Sequence, residues 1–211
     1  MAINNGYATL AQVKAALRIT DSVDDTLLEM ATESASRAID LYCNRNFYST
    51  GTAVSRDYVA TNSYLCEIDD LVSLTSLQTV DANNSTITWT ASDYQLEPLN
   101  NVVDGSYTPT TRIRAIGQYV FDSGARLRTY GSSVFPSNST QATVTVTGVF
   151  GWESVPTEIT QATVIQASRI YKRLDSPLGI ISGELGSMRI GSRLDPDVAQ
   201  LVDAHRKIRM A

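Results

Sequence analysis

Residues 141–177 read QATVTVTGVFGWESVPTEITQATVIQASRIYKRLDSP, and a change of period inside this stretch decides how the chain is organised. Through Ala142-Thr143-Val144-Thr145-Val146-Thr147 apolar and polar residues alternate, the signature of a strand with one buried face. Beyond Pro156 the period lengthens. Ile159, Ala162, Val164, Ile165, Ala167, Ser168, Ile170 and Tyr171 wrap most of the circumference of a helix over 156–174, which Pro156 opens and Asp175-Ser176-Pro177 stops. Arg169, Lys172 and Arg173 suit the negative C-terminal end of that helix. A helix apolar nearly all round is predicted to sit at the centre of a bundle.

Upstream, residues 49–150 are rich in Thr, Ser, Val, Tyr and Asn, a strand composition. Strands are predicted over 53–60, 64–68, 72–81, 86–91, 94–99, 112–116 and 142–150. Turn signals such as Asp81-Ala82-Asn83-Asn84, Asp104-Gly105 and Pro136-Ser137-Asn138 separate them. Before this block, Thr9 and Gln12 form a capping box for a short helix over 9–19. A second helix over 24–45, capped by Asp24 or Asp25, carries Leu28, Ala31, Ala35, Ala38, Ile39 and Tyr42 as one stripe. Its alanines permit close approach of a neighbouring helix, and Glu29, Glu33, Arg37 and Asp40 form a solvated face. The fold class is therefore α+β. A small bundle of two N-terminal helices, a central helix and a C-terminal helix (1–48 and 151–211) is interrupted by a large antiparallel β insertion (49–150).

Downstream of the central helix runs PLGIISGELGSMRIGSR, Pro177 to Arg193, with glycines at 179, 183, 186 and 191. So many glycines disfavour a helix, yet Leu178, Ile180, Ile181, Leu185, Met188 and Ile190 are too apolar for a solvated linker. An extended arm of this kind is expected to meet a partner, with Arg189 and Arg193 beside it. Asp195-Pro196 then opens a last helix lined on one side by Val198, Leu201, Val202, His205 and Ile208.

At 211 residues the chain is long enough for a genuine core. Its net charge of −5 hides an asymmetry: residues 21–104 hold fourteen carboxylates against three arginines, whereas residues from 164 onward carry a net of +3. Such a division can steer like subunits head to tail or simply mark two differently solvated faces, the commoner case. The two cysteines, Cys43 and Cys66, lack metal or redox spacing and are expected to be reduced and packed. The first twenty residues lack an apolar h-region, and no run of about eighteen apolar residues occurs, so neither secretion nor membrane spanning is supported.

Catalytic patterns are absent too. His205, the only histidine, lies on the apolar side of a helix and is read as packed or interfacial rather than as a base. Asp21, Asp24 and Asp25 lack calcium-loop spacing, and no phosphate-binding glycine motif occurs. Asp69-Asp70 and Glu97 could in principle form a glycosidase pair, a pattern that any acidic β-rich chain offers. Neither a cofactor nor a metal is expected.

Tyr7-Ala-Thr-Leu-Ala-Gln-Val-Lys-Ala-Ala-Leu-Arg-Ile19, the acidic turn and the long helix closing at Cys43-Asn-Arg-Asn-Phe47 resemble the start of tailed-phage head–tail connector (adaptor) proteins. So do Phe150-Gly-Trp152, Val155-Pro156, Ile170-Tyr-Lys-Arg173 with Ser176-Pro-Leu-Gly179, Leu185-Gly-Ser-Met-Arg-Ile190, and Ser192-Arg-Leu-Asp-Pro-Asp-Val198. The resemblance covers both helical ends and leaves the β insertion unmatched. It implies a non-enzymatic virion protein of the neck: a ring of identical subunits, typically a dodecamer, docked beneath the portal protein. The ring would meet tail-completion or tail-terminator proteins and let double-stranded DNA pass. Subunit or portal contacts are then expected at Leu178, Ile180, Ile181, Leu185, Met188, Arg189, Ile190, Arg193, Val198, Leu201, His205 and Ile208. Deleting 178–211 is expected to leave a folded protein that no longer joins virions. The alternatives are a carbohydrate- or protein-binding β module, or a glycan-acting hydrolase.

Overall fold

The computed structural model describes residues 3–80, 85–103, 106–121, 127–130, 133–136, 143–174, 180–183, 186–189 and 194–207. The chain divides into two compact units, Met1–Tyr48 with Val155–Ala211, and Ser49–Ser154.

The first unit holds α1 (Leu10–Leu17), α2 (Asp25–Cys43), α3 (Thr157–Arg173) and α4 (Pro196–Val202), with a single 3₁₀ turn at Asp203–His205. The capping box forms as the sequence predicts: Gln12 N donates to Thr9 Oγ1 at 3.2 Å and Thr9 N to Gln12 Oε1 at 2.8 Å. α1 and α2 both stop on left-handed residues, Arg18 and Asn44. Asp24 occupies the N-cap position of α2 without capping it. Its carboxylate accepts instead from Tyr171 Oη at 2.6 Å, which ties the start of α2 to the end of α3.

Between these helices lies a core of small and branched side chains: Val13, Leu28, Ala31, Ala35 and Ala167, edged by Leu17, Val164, Ile170 and Tyr171. α3 packs against α1, α2 and α4 and is central, as expected. It is not apolar all round, however. One face is buried, through Ile159, Ala162, Thr163, Gln166 and Ala167, while Val164, Ile165 and Ile170 are only half-buried. Thr163 enters that face because its hydroxyl donates to the Ile159 carbonyl at 2.8 Å.

Ahead of α1 the chain is strapped along α2. Asn4 N donates to Glu33 at 2.6 Å, Arg37 to the Asn5 carbonyl at 2.9 Å, and Tyr7 N to Ser36 Oγ at 3.1 Å. The Tyr7 hydroxyl donates to Asp40 and accepts from Phe47 N. Burial, then the hydrogen bond to Asp40, pushes that phenol far above its ordinary pKa, so it stays protonated as the bridge.

The second unit is built on a six-stranded antiparallel sheet. β1 (Val54–Tyr58), β2 (Leu65–Val80), β3 (Thr86–Thr88), β4 (Tyr94–Glu97), β7 (Thr110–Ala115) and β10 (Val144–Phe150) form it in the order β1-β10-β2-β7-β4, with β3 also on β2. β5 (Val102–Val103) pairs with β6 (Ser106–Tyr107), and β8 (Leu127–Tyr130) with β9 (Ser133–Pro136). β10 buries every second residue, as its alternation predicts.

The segments read as separate strands over 64–68 and 72–81 are one strand. Asp69 and Asp70 do not break it because each carboxylate finds a hydrogen-bond partner in place. Asp69 accepts from Arg56 at 2.9 Å and from Tyr58 at 3.2 Å, and Asp70 from Trp152 Nε1 at 3.1 Å. The core of this unit gathers Leu71, Leu77, Ile113, Val144, Val146 and Phe150, with Trp89 stacked on Phe121 at 4.7 Å.

Where β10 crosses β2 the register shifts at Gly148. A Cβ there would overlap the Ser73 carbonyl and stand 2.9 Å from Leu71 Cδ1. Since backbone cannot give way as a flexible side chain can, Gly148→Ala is expected to cost about 1–3 kcal/mol. Chemical denaturation followed by Trp fluorescence measures it; an unchanged midpoint would mean the bulge relaxes freely.

Candidate assembly surfaces

The arm foreseen between α3 and α4 contains a two-stranded antiparallel ribbon, β11 (Ile180–Gly183) with β12 (Gly186–Arg189). Ile180 stands opposite Arg189 and Ile181 opposite Met188. The extended backbone pairs with itself. Leu178, Leu185, Ile190, Arg193 and Ile208 lie outside the described residues.

The described residues on either side of the arm lie at the C-terminal part of α3. The outgoing stem leaves at Leu174, just past Tyr171 and its bond to Asp24. The incoming stem is fixed where Arg169 pairs with Asp195, the residue that caps α4 by accepting from Asp197 N at 3.1 Å. Arg169 also reaches Asp197 at 3.5 Å.

α4 itself belongs to the subunit's own scaffold. Val198 and Val202 are fully buried, whereas Leu201 is partly buried. Tyr42 donates to Asp203 at 2.7 Å, Lys207 N to the Cys43 carbonyl at 2.8 Å, and Arg206 lies over the Tyr42 ring. Val198, expected at an interface, is spent on the internal core. Cutting away 178–211 would therefore open that core, and the truncation foreseen above would confuse misfolding with loss of docking. The last helix is also shorter than its apolar spacing suggests: it tightens to a 3₁₀ turn at Asp203 and gives way to extended backbone at Arg206.

His205 sits at that turn, half-buried, edge-on to Phe47 at 5.9 Å and 3.9 Å from Glu158. The candidate glycosidase carboxylates are likewise structural: Asp69 and Asp70 serve the sheet, and Glu97 holds Arg114 at 2.5 Å. Among the described residues no cluster of His, Cys, Asp and Glu could hold a metal ion, and no helix is long and apolar enough to cross a membrane. Cys43 and Cys66 are free and buried, and burial pushes both thiols up to about 12.

One surface escaped the sequence reading. Beside the buried stripe of α2 and its acidic strip runs a third face, on which Leu27, Met30, Ser34 and Leu41 are exposed, with Val23 just ahead of the helix. At about 100° per residue these positions fall within an arc of roughly 60°. Val23 and Leu41 are 86% and 85% exposed. The spacing was legible, but the stripe through Leu28 and Ile39 is stronger and claimed the helix first.

Residues 7–104 match the family described as phage gp6-like head-tail connector protein. That segment, a little under half of the chain, is similar to head–tail connector proteins. The match runs through α1 and α2 and on through β1 to β5, so it crosses into the β unit that the resemblance had left out; the residues after 104 lie beyond it. A head–tail connector is a structural protein and not an enzyme. Comparison with curated proteins gives no match. Among solved structures the chain is similar to one described as "Neck of empty GTA particle computed with C6 symmetry". The likeness has a TM-score of 0.53 at 17% identity and covers 100% of this chain and 95% of that one, a similarity of fold.

His205 gives the C-terminal turn a pH dependence. Burial holds its pKa below the ordinary 6.5, opposed by the attraction of Glu158 and reinforced by repulsion from Arg45. Between the folded value and 6.5 the unfolded chain binds more protons. The contribution is thus fully present above 6.5 and lost as pH falls through that window. His205→Gln should flatten the stability profile between pH 7 and the folded pKa relative to wild type, as measured by denaturation at several pH values; parallel profiles would show that His205 ionises equally in both states.

Proposed function

We propose that this chain works in the neck of a tailed-phage virion, joining the portal to tail-completion or tail-terminator proteins as a ring of identical subunits whose lumen continues the DNA channel. The match of residues 7–104 to the connector family carries this reading. The likeness of the whole chain to a protein from the neck of a particle supports it, and the six-fold symmetry of that neck accommodates six copies or twelve. We favour twelve.

The charge of the chain suits passage of DNA. A channel without a dense basic lining would let the duplex slide past without sequence recognition. The ribbon at Ile180–Arg189 is the reading's docking element, because the chain on either side of the arm is held on α3, through Leu174 and through Asp195, while α4 stays with the core. Its sequence neighbours Leu178, Leu185, Ile190 and Arg193 share the same apolar and basic character.

Replacing 178–192 by a short Gly/Ser link, which spares Asp195, Val198 and Val202, tests this. Stability should stay within about 0.5 kcal/mol of wild type, as for a surface change, while the protein disappears from purified virions and heads accumulate without tails. Normal tail joining would sink the docking role of the ribbon.

A further inference from the structure

The outer face of α2 is built like a helix seam. Val23, Leu27, Met30, Ser34 and Leu41 follow one another at steps of four, three, four and seven residues, the spacing that keeps side chains in line along a helix packed against another element. Leu27 and Met30 are 43% and 50% exposed, so the row opens to solvent in the isolated subunit. At the midpoint Ser34 keeps the surface low, which lets a neighbour approach closely. The buried stripe through Leu28, Ala31, Ala35 and Ile39 already holds α1 and α3, so the seam is surplus to the subunit's own fold.

We infer that this seam seats a second copy of the same chain, making α2 the contact between neighbouring subunits around the ring; the inference rests on the connector reading above. Two observations favour a like subunit over a different protein. The similar full-length chain comes from a six-fold-symmetric neck, and in a closed ring each subunit must present one face to the copy before it and a different face to the copy after it. In addition, α2 lies in the acidic part of the sequence, whereas the residues from 164 onward are net basic. A head-to-tail neighbour that set its basic C-terminal segment against this α2 would meet it with opposite charge.

The test places a photoactivatable benzophenone amino acid at Met30 or at Leu41, each in virions assembled with the full-length chain and irradiated; the benzophenone captures whatever backbone or side chain faces it, so the neighbour's different face needs no matching group. Either variant should give bands at multiples of the chain's own mass, while wild type stays a single band. Incorporation of the variants with cross-links only to another virion protein, or with none, would overturn the inference and leave the connector reading standing. Absence of the wild-type chain from virions would overturn the reading and the inference together. As a second arm, Leu27→Asp with Met30→Asp should retain the far-UV spectrum and melting midpoint of wild type yet be lost from virions; normal incorporation would also refute the seam.

Discussion

α2 and α3 are brought together from opposite sides of a long insertion, and the helical unit exists only because they approach closely. Ala31, Ala35 and Ala167 make that approach possible. Larger side chains at these three positions would push the helices apart, strip Leu28 and Ile170 of their neighbours and pull Tyr171 off Asp24. The strap through Tyr7 and the latch through α4 both depend on this pair: one lies along α2, the other braces α3 through Arg169 and α2 through Tyr42 and Cys43. Small residues here act as a distance constraint, and the dispersion contacts made at that distance hold the unit together.

Much of this could be read from spacing. The period change between Thr147 and Ile159 located the junction of strand and helix, and the alanines of α2 foretold the close approach. What failed to show was set by partners distant in sequence. Asp69 and Asp70 look like an interruption until Arg56, Tyr58 and Trp152 are placed around them, and α3 looks wholly apolar until α1, α2 and α4 are seen to share its surface unequally. β5, β6, β8 and β9 are too short to carry an alternation. At the C-terminus, apolar spacing could not distinguish Val198, which faces inward, from residues meant for a partner, because both purposes call for the same side chains.

The insertion and the helices also divide the chemistry. In the β unit charged groups are used in pairs across strands, such as Arg114 with Glu97 and Arg56 with Asp69. In the helical unit they tie separate elements together, as Lys14 does with Asp25 and Arg169 with Asp195. Exposed pairs of the first kind add little stability. The second kind fix where loops begin and end.

That last point bears on how such a protein can change over time. Because the chain on either side of the ribbon is held at the C-terminal part of α3, the excursion between is a closed loop whose ends the fold keeps near each other whatever its length. Lengthening such a loop costs only about 0.6 kcal/mol per doubling. The ribbon can accordingly be shortened, extended or exchanged for another sequence while the helices remain as they are, so a lineage could refit this subunit to a new neighbour by rewriting a segment of fewer than twenty residues.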